Sequence, residues 1–319
     1  MHITIRRATV EDYPQFIAIA RSTTTDFTLT EGDLLHADAI HDAQKLSKKF
    51  VALSANRQIV GTASVSQINP PDEPNRFSLW VYVRPELHGQ GIGKRLYEHI
   101  VSYLENYLPY KIETGVCENL PRAMRFLHDR SFMETMREHE SQLNLSSFDP
   151  ARFRADLQHA VAEGITIQSL TQLAYDRQRD IKLRDLERYH AQAATGELPS
   201  AIPIDEWQAR FWSLPRLLPD GFCIALDGER FVGQSNALRS SMPGELEYGY
   251  TGVLPAYRNR GIARALKLSV LSWAKAQGYI LARSWSNSQN TAMIRVNQHF
   301  GFVEQPAVVW LEKIVAQHR

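Results

Sequence analysis

The sequence predicts an α/β fold class, a mixed α+β sheet with helices on both faces, and it predicts that this fold occurs twice in tandem. The chain has 319 residues, of which 44% are hydrophobic, so it holds enough apolar material for sizeable cores. This length is about twice a common domain size. Two further observations decide the class. Several short motifs recur in the same order in the two halves, and strand-like and helix-like patterns alternate along each half.

The internal repeat runs through most of the chain. The shift between matching segments stays between 162 and 172 residues, as expected for the tandem duplication of a unit of about 150 residues. The matching segments are Ile3–Arg6 with Ile165–Gln168, Arg57–Gly61 with Glu229–Gly233, and Val83–Lys94 with Val253–Arg264.

The same comparison sets the expected domain boundaries. Ser146–Pro150 interrupts the pattern where the first copy ends, and Ala151–Glu163 has the spacing of a short helix with mixed charges. We therefore expect a first domain over residues 1–148, a linker over residues 149–163, and a second domain over residues 164–319.

Each copy is predicted to have the same order of elements. A short alternating strand comes first, and a helical pattern follows it. Two strands joined by a tight turn come next, with Asp-Gly in the turn of the second copy. A longer strand then ends at a proline and leads through a glycine-containing turn into an amphipathic helix. These strands are Phe50–Ala55, Ile59–Gln67 and Arg76–Val83 in the first copy, and Phe222–Leu226, Arg230–Leu238 and Glu245–Val253 in the second.

Charge and composition exclude several classes of function. Lys and Arg total 36 against 35 for Asp and Glu, and this net charge of +1 gives no basic surface for nucleic acid or an anionic membrane. No stretch approaches the ~20 apolar residues of a membrane helix, and the N-terminus lacks the apolar core of a signal peptide. Cys117 and Cys223 are too few for a disulfide framework, and His36 and His41 lack a metal-ligand spacing. We expect a soluble, cytoplasmic protein with no metal, nucleic-acid or membrane partner.

A glycine-containing turn between a strand and a helix occurs twice, as His88–Gly93 and as Arg258–Ala263. Such a turn leaves backbone N–H groups unpaired at the positive end of the helix dipole, and small residues let an anion approach them. A P-loop would need glycine at His88 and a hydroxyl residue at Arg95, and neither copy has the spacing of a dinucleotide fingerprint. The pattern therefore predicts two sites for phosphate or pyrophosphate.

These turns resemble the acyl-CoA pyrophosphate loop of the GNAT superfamily of N-acetyltransferases, whose pattern is Arg/Gln-x-x-Gly-x-Gly/Ala after a long strand. Arg258–Ala263 matches this pattern fully, and His88–Gly93 matches it except that His88 replaces Arg or Gln. Further along the second copy, Asn287, Asn290 and the residues that follow are similar to the family's Asn-rich segment, helix and Gly-Phe end. The tandem arrangement is similar to that of two-domain acetyltransferases of the mycothiol synthase type.

The resemblance implies two GNAT-like domains, each a mixed, mostly antiparallel sheet flanked by helices. It also implies acetyl-CoA as the donor, coenzyme A as a product and a small-molecule amine as the acceptor. The donor contacts that it implies are Val253, Arg258, Asn259, Arg260, Gly261, Ile262, Ala263, Asn290 and Asn297 in the second copy, and Val83, His88, Gly89, Gln90, Gly91, Ile92 and Gly93 in the first.

The chemistry implied by the resemblance is direct attack of an amine on the thioester of acetyl-CoA. Backbone N–H groups near Val253 and Val83, where the long strand leaves its neighbour, would polarise the thioester carbonyl. Glu245 and Glu247 lie on one face of the long strand of the second copy. Either carboxylate is a candidate base acting through water, and the alternative is that both are solvated residues at the start of the strand.

The usual position of the general acid holds no acidic side chain. Many family members have a tyrosine four residues before the Gly-Phe end, where this chain has Asn297 and Leu127. Solvent or Tyr250 would then protonate the leaving thiolate, which is tolerable because a thiol has a pKa of about 8.5. The strand Arg76–Val83 of the first copy carries no carboxylate. We therefore expect catalysis in the second copy, and acyl-CoA binding without turnover or a scaffold role in the first.

A long segment precedes the hairpin of the second copy, in the region that covers the acceptor cleft in the family. Trp207, Trp212 and Trp285 are candidates for lining that cleft, although tryptophans are more often part of a core. The leading hypothesis is an acetyl-CoA-dependent N-acetyltransferase that acts on the primary amine of a small molecule. One alternative is a non-catalytic acyl-CoA-binding or regulatory protein, which the missing tyrosine favours. Another is a protein-lysine acetyltransferase, although a near-neutral chain gives no sign of an acidic cleft.

Overall fold

The computed structural model describes residues 2–24, 29–41, 45–68, 75–195 and 198–315. The chain divides into two units, Met1–His139 with Pro306–Arg319, and Glu140–Gln305. For two segments this division differs from the domain boundaries that the sequence predicts. Residues 140–163 belong to the second unit, and residues 306–319 belong to the first.

The first copy has the predicted order of strand, helices, three strands, helix, strand, helix and strand. Its elements are β1 (Ile3–Arg7), α1 (Tyr13–Thr23), α2 (Glu31–Ala39), β2 (Ser47–Ser54), β3 (Ile59–Ile68), β4 (Arg76–Val83), α3 (Ile92–Glu105), β5 (Lys111–Cys117), α4 (Pro121–His128) and β6 (Met133–Asn144).

The second copy repeats this order after a linker helix, α5. Its elements are α5 (Arg154–Ala162), β7 (Ile165–Ser169), α6 (Arg179–Thr195), α7 (Ile204–Trp212), β8 (Leu217–Asp227), β9 (Arg230–Arg239), β10 (Glu245–Val253), α8 (Ile262–Ala276), β11 (Leu281–Asn287), α9 (Thr291–Phe300), β12 (Val303–Glu304) and β13 (Val308–Ile314). No helix among the described residues is long and apolar enough to cross a membrane.

Each unit contains a mixed, mostly antiparallel sheet, which confirms the predicted fold class. The strands of the first unit lie in the order β1-β2-β3-β4-β5-β13-β6, and β4 and β5 are parallel. The last strand of the chain belongs to this unit because it pairs on both sides with it: Val309 lies opposite Val116 of β5 and Arg137 of β6. In the second unit the order is β6-β11-β10-β9-β8-β7, with β10 and β11 parallel and β12 beside residues 141–142 of β6.

The long strand of each unit separates from its parallel neighbour partway along. Pairing of β4 with β5 runs from Arg76 to Ser78, whereas pairing with β3 continues to Val83. Pairing of β10 with β11 likewise ends at Glu247, whereas β9 follows β10 to Val253. Along the described residues past these points, one edge of each long strand has no ladder partner, so its backbone groups need another one. β10 also has a bulge between residues 248 and 251, while β4 keeps one register with β3.

The main core of each unit lies between the sheet and the helix that follows the long strand. Helices cover the opposite face as well, as predicted. The buried side chains include Phe77, Leu96, Ile100 and Leu104 around α3, and Leu246, Leu266 and Val270 around α8. On the opposite faces they include Tyr13, Phe16 and Leu34 of α1 and α2, and Trp207, Phe211 and Phe222 beside α7.

Lys267 of α8 is an exception in this apolar core because it is 1% exposed. Its Nζ donates a hydrogen bond to Ser284 Oγ over 3.2 Å and lies 4.0 Å from the centre of the Tyr248 ring. Burial lowers the pKa of this ammonium group to about 7.

Replacing Leu311→Ala should destabilise the first unit by about 2–4 kcal/mol, because Leu311 is fully buried on β13 and the change leaves a cavity. Urea unfolding combined with hydrogen exchange of the α3 amides would measure this. Ile314→Ala on the same strand is the control, since Ile314 is 53% exposed, and it should change stability by less than about 0.5 kcal/mol. If Leu311→Ala lowered protection from hydrogen exchange only in residues 140–305, β13 would not belong to the first unit.

Replacing Lys267→Met should raise the melting temperature at neutral pH. The pKa of Lys267, about 7 in the folded protein, lies below the value of about 10.4 for an unfolded lysine. The unfolded chain therefore holds more protons between these pH values, and the free energy of unfolding rises with pH by up to a few kcal/mol. The variant should lose this rise, which melting curves between about pH 7 and about pH 10 would show.

Lys275→Met is the matched control on the same helix. Its Nζ donates to the carbonyl oxygens of Leu145 and Ser146, so this variant should keep the rise in stability with pH. An equal rise in the Lys267→Met variant would show that the rise comes from another group.

Candidate functional site

The first glycine-containing turn has the backbone geometry of an anion site. Gly89 and Gly91 have φ angles of 82° and 81°, which favour glycine. Gly91 is the N-cap residue of α3. A Cβ atom built on Gly91 would meet no heavy atom of the described residues within 4 Å. The space beside Gly91, at the positive end of the helix dipole where the first N–H groups have no helical partner, is therefore open.

His88, which replaces the Arg or Gln of the family's loop pattern, connects the turn to the end of β4 by a hydrogen bond. Its Nε2 lies 2.9 Å from the carbonyl oxygen of Val83, and since a carbonyl only accepts, this nitrogen carries the proton and donates. In the second copy, Nε of Arg258 donates to the carbonyl oxygen of Val253 over 3.2 Å. The histidine and the arginine thus make the same contact in the two copies.

A cavity of about 910 Å³ opens at the first turn. It runs from the turn along the separated edges of β4 and β5 to α1 and α2. Its lining includes Gly91 and Gly93 of the turn, Trp80 and Tyr82 of β4, Gly115 and Cys117 of β5, and Phe16 and Leu34 of α1 and α2. The turn and the separated strands of the first unit therefore form one continuous site.

Basic side chains surround the turn end of this cavity. Lys94, Arg122 and Arg130 line it. A Cβ atom on Gly89 would lie 3.3 Å from a terminal nitrogen of Arg122, so this guanidinium group stands beside the turn. The Arg130 guanidinium lies 3.6 Å from the centre of the Phe126 ring. The sequence does not identify these arginines as site residues, because it shows several basic residues around α4 but not that α4 approaches the turn.

The second turn has the same backbone but is covered by α5. Gly261 has a φ angle of 72° and is the N-cap residue of α8. A Cβ atom on Gly261 would lie only 2.8 Å from Cδ2 of His159. The imidazole of α5 thus occupies the space that is open above Gly91 in the first copy.

The arginines of the second turn are paired with acids of the linker region. Nε of Arg260 lies 2.9 Å from Oε2 of Glu163, and Nε of Arg264 lies 3.3 Å from Oδ1 of Asp156. These two positive charges, of which the Arg260 charge is one of the expected donor contacts, are therefore already balanced by carboxylates. Asn259, whose φ angle is 63°, takes the place of Gly89 in this turn.

The free edge of β10 is covered as well. A Cβ atom on Gly252 would lie 2.5 Å from the hydroxyl oxygen of Tyr250, so the phenol ring lies across the strand. At the bulge, the backbone N–H of Tyr250 donates to Oδ1 of Asn236. Burial raises the pKa of Tyr250, which makes this candidate acid weaker. His190 of α6 packs on its ring with the centroids 5.2 Å apart, and burial lowers the pKa of His190 to about 4.

Both candidate carboxylates of β10 are in ion pairs. Glu247 is buried and paired with Arg216. Oε2 of Glu245 accepts a hydrogen bond of 2.8 Å from Nε of Arg283, a guanidinium group that also donates to Glu140 over 2.6 Å. A base role for either carboxylate would require it to share or leave its arginine.

The predicted asparagines of the second copy have local partners. Oδ1 of Asn290 caps α9 by accepting from the N–H of Met293 over 3.1 Å. Asn297 is buried, and its Nδ2 lies 3.2–3.4 Å from three serine hydroxyls, those of Ser141, Ser284 and Ser286.

This buried polar cluster replaces residues that line the cavity in the first copy. The repeat shift relates Lys267 to Tyr97, Ser284 to Thr114, Ser286 to Val116, and Asn297 to Leu127, and the four residues of the first copy all line the cavity. In the second copy the corresponding positions bond to one another.

The three candidate acceptor tryptophans lie in different surroundings. Trp207 is buried in the apolar layer beside α7, and its Nε1 donates to Glu187 over 2.9 Å. Nε1 of Trp212 donates to Asp180 over 3.1 Å. Trp285 is half-buried on β11. Trp207 is therefore a core residue, whereas the side chains of Trp212 and Trp285 are partly exposed to solvent.

Comparisons with known proteins agree with this architecture. Mycothiol acetyltransferase of Streptomyces scabiei is 24% identical over 258 residues, which cover 80% of this chain and 76% of that protein. The tandem GNAT protein from the clavulanic acid biosynthesis pathway, solved without acetyl-CoA, has a TM-score of 0.76 and 16% identity, and the match covers 100% of both chains. A GCN5-related N-acetyltransferase from Sphaerobacter thermophilus has a TM-score of 0.70 and 17% identity over 98% of this chain and 95% of that one.

The acetyltransferase (GNAT) family matches the chain twice, over residues 14–132 and over residues 185–302. Each match contains one glycine-containing turn and one pair of separated strands. The chain therefore belongs to the GNAT acetyltransferase family and has two GNAT domains in tandem.

Proposed function

We propose that this protein transfers an acetyl group from acetyl-CoA to the primary amine of a small molecule, and that the donor binds the first copy. The observation that carries the proposal is the difference between the two turns. The space above Gly91 is open and continues into a cavity of about 910 Å³, whereas His159 lies over Gly261. Family membership supports an acyl-CoA donor.

The sequence-based assignment of catalysis to Glu245, Glu247 and Tyr250 of the second copy stays a prediction. Four contacts argue against donor entry there: His159 covers the turn, Glu163 and Asp156 each pair with one of its arginines, and Tyr250 lies across Gly252. These contacts favour the first copy for the donor.

In the first copy, different groups of the protein would bind the pyrophosphate, the pantetheine arm and the thioester of acetyl-CoA. The N–H groups of α3, together with Lys94 and Arg122, would hold the pyrophosphate. The pantetheine arm would run along the edge of β4 that has separated from β5. Donors on this edge would polarise the thioester carbonyl and stabilise the developing oxyanion.

The reaction needs two proton movements. The amine nitrogen attacks the thioester carbon, the C–S bond breaks, and coenzyme A leaves as a thiolate. The amine gives its proton to water, and solvent protonates the thiolate, because Leu127 occupies the usual acid position. A thiol with a pKa of about 8.5 is a leaving group that tolerates the lack of a strong acid.

A second candidate function is acyl-CoA binding without turnover. The observation that favours it is the same Leu127, together with the absence of a carboxylate among the described lining residues of β4 and β5. Release of free thiol, followed with a panel of small amines, separates the two functions. Tight binding of acetyl-CoA with no thiol release from any amine would favour the binding protein.

A carboxylate placed at each turn tests which copy holds the donor. Gly93 and Ala263 are the second residues of α3 and α8, and neither has a positive φ angle. Gly93→Glu should weaken acetyl-CoA binding on the order of 100-fold, because like charges set side by side cost several kcal/mol. Isothermal titration calorimetry measures the affinity.

Ala263→Glu is the matched variant in the second copy, and melting curves check that both variants fold. Lost affinity confined to Ala263→Glu would overturn the assignment to the first copy. Equal losses in both variants would show that each copy holds a donor.

A further inference from the structure

The far end of the cavity from the phosphate-binding turn has a floor made of three strands. Lys49 of β2 lies opposite Ser64 of β3, and Ser64 lies opposite Trp80 of β4. All three side chains line the cavity. This row, which we call the acceptor floor, includes Trp80 on the part of β4 that has separated from β5, where an acceptor would meet the thioester.

The acceptor floor carries the ammonium group of Lys49, which is paired with Asp38 and shielded from solvent. The Lys49 side chain is 12% exposed, its Nζ lies 2.6 Å from Oδ1 of Asp38, and it stands 5.2 Å from the centre of the Tyr13 ring. An ammonium group has three N–H donors, and this ion pair uses one of them. Asp38 itself is not part of the cavity lining.

Acidic groups are scarce in this cavity. Among its described lining residues, Asp129 is the only acid, and it lies directly after α4 at the other end. A cationic acceptor such as a polyamine would therefore meet the Lys49 ammonium rather than its partner Asp38, which lies outside the lining. An acceptor with its own carboxylate would instead find an ammonium partner, which is a strong charge-assisted contact.

The walls beside Lys49 are apolar. The Trp80 ring packs against Gly115, where a Cβ atom would lie 2.9 Å from it, and its Nε1 donates to Ser78 over 2.9 Å. Phe16 and Leu34 line the cavity from α1 and α2. These surfaces suit a flat or branched hydrocarbon group.

We infer that the acceptor is an amino acid, an amine that carries a carboxylate for Lys49 and an apolar or aromatic side chain for Trp80. This inference rests on the proposed function of the first copy. The carboxylate would lie on the Lys49 ammonium, and the amino group would lie toward the free edge of β4, where the thioester carbonyl is held. Apolar walls also disfavour the charged form of the amino group, which promotes the neutral nucleophile without a dedicated base.

Matched pairs of acceptors that differ only in the carboxylate test this inference. The pairs are phenylalanine with phenethylamine, leucine with isopentylamine, and alanine with ethylamine, each with saturating acetyl-CoA. We expect kcat/KM to be at least about tenfold higher for the amino acid in one or more pairs, the size of a charged hydrogen bond. Lys49→Gln should abolish this preference by lowering the value for the amino acid.

Two variants separate binding of the carboxylate from a general effect on folding. Lys49→Arg keeps the charge and should restore most of the preference, whereas Lys48→Gln changes the neighbouring lysine, which alternates to the other face of β2 and does not line the cavity. Lys48→Gln should behave as the unchanged protein.

The inference fails if no pair shows a preference for the amino acid, or if Lys49→Gln lowers both members of a pair equally. It also fails if no amine in any pair is acetylated while acetyl-CoA still binds. The calorimetric comparison of Gly93→Glu with Ala263→Glu reports on the donor alone, so failure of the proposed donor site is recognised separately.

Discussion

The separation of β4 from its parallel neighbour is the feature on which the candidate site depends. A sheet satisfies its backbone groups through its ladder, and β4 loses that partner on one edge past Ser78 while β3 still holds the other. A ligand lying in the gap can use these groups without breaking the sheet. Gly115 of β5 leaves room for the Trp80 ring, which lies where a side chain at 115 would stand. Since β4 ends at the turn into α3, the same strand brings the N–H groups of the helix to the mouth of the gap.

The two copies show how the same backbone can be used differently. In both copies the N-cap residue of the helix is a glycine in the left-handed conformation. In both, the long strand pairs with its parallel neighbour over only part of its length. In the second copy, α5 supplies His159 and Asp156 to the turn, and Glu163 follows directly after the helix. A buried group that includes Lys267 and Asn297 replaces the side chains that line the first cavity. A bulge in β10 further directs a backbone N–H to Asn236. The differences are thus made by side chains and one inserted residue, not by loss of the fold.

The sequence predicts what depends on local patterns. Alternation and helical spacing indicated the order of elements in both copies, and the positions of the glycines indicated the turns. What it missed depends on contacts between distant residues. The pairing of Val309 with β5 and β6 leaves no trace in the spacing of Val308–Ile314, so the sequence alone places the last strand in the second domain. The mixed-charge pattern of α5 predicted a linker helix, but nothing in it identified the turn of α8 as the surface that it covers.

Net charge is also a poor guide to this site, because the site depends on where charges lie. A total of +1 excludes a generally basic surface, yet Lys94, Arg122 and Arg130 gather at one end of the cavity and Lys49 stands at the other. In the proposed function, an anionic donor would be attracted to the turn end, and a protonated amine would be disfavoured beside Lys49 and the apolar side chains of Phe16 and Leu34. The arrangement that would bind the pyrophosphate would then also favour the uncharged amine, although β4 carries no carboxylate base.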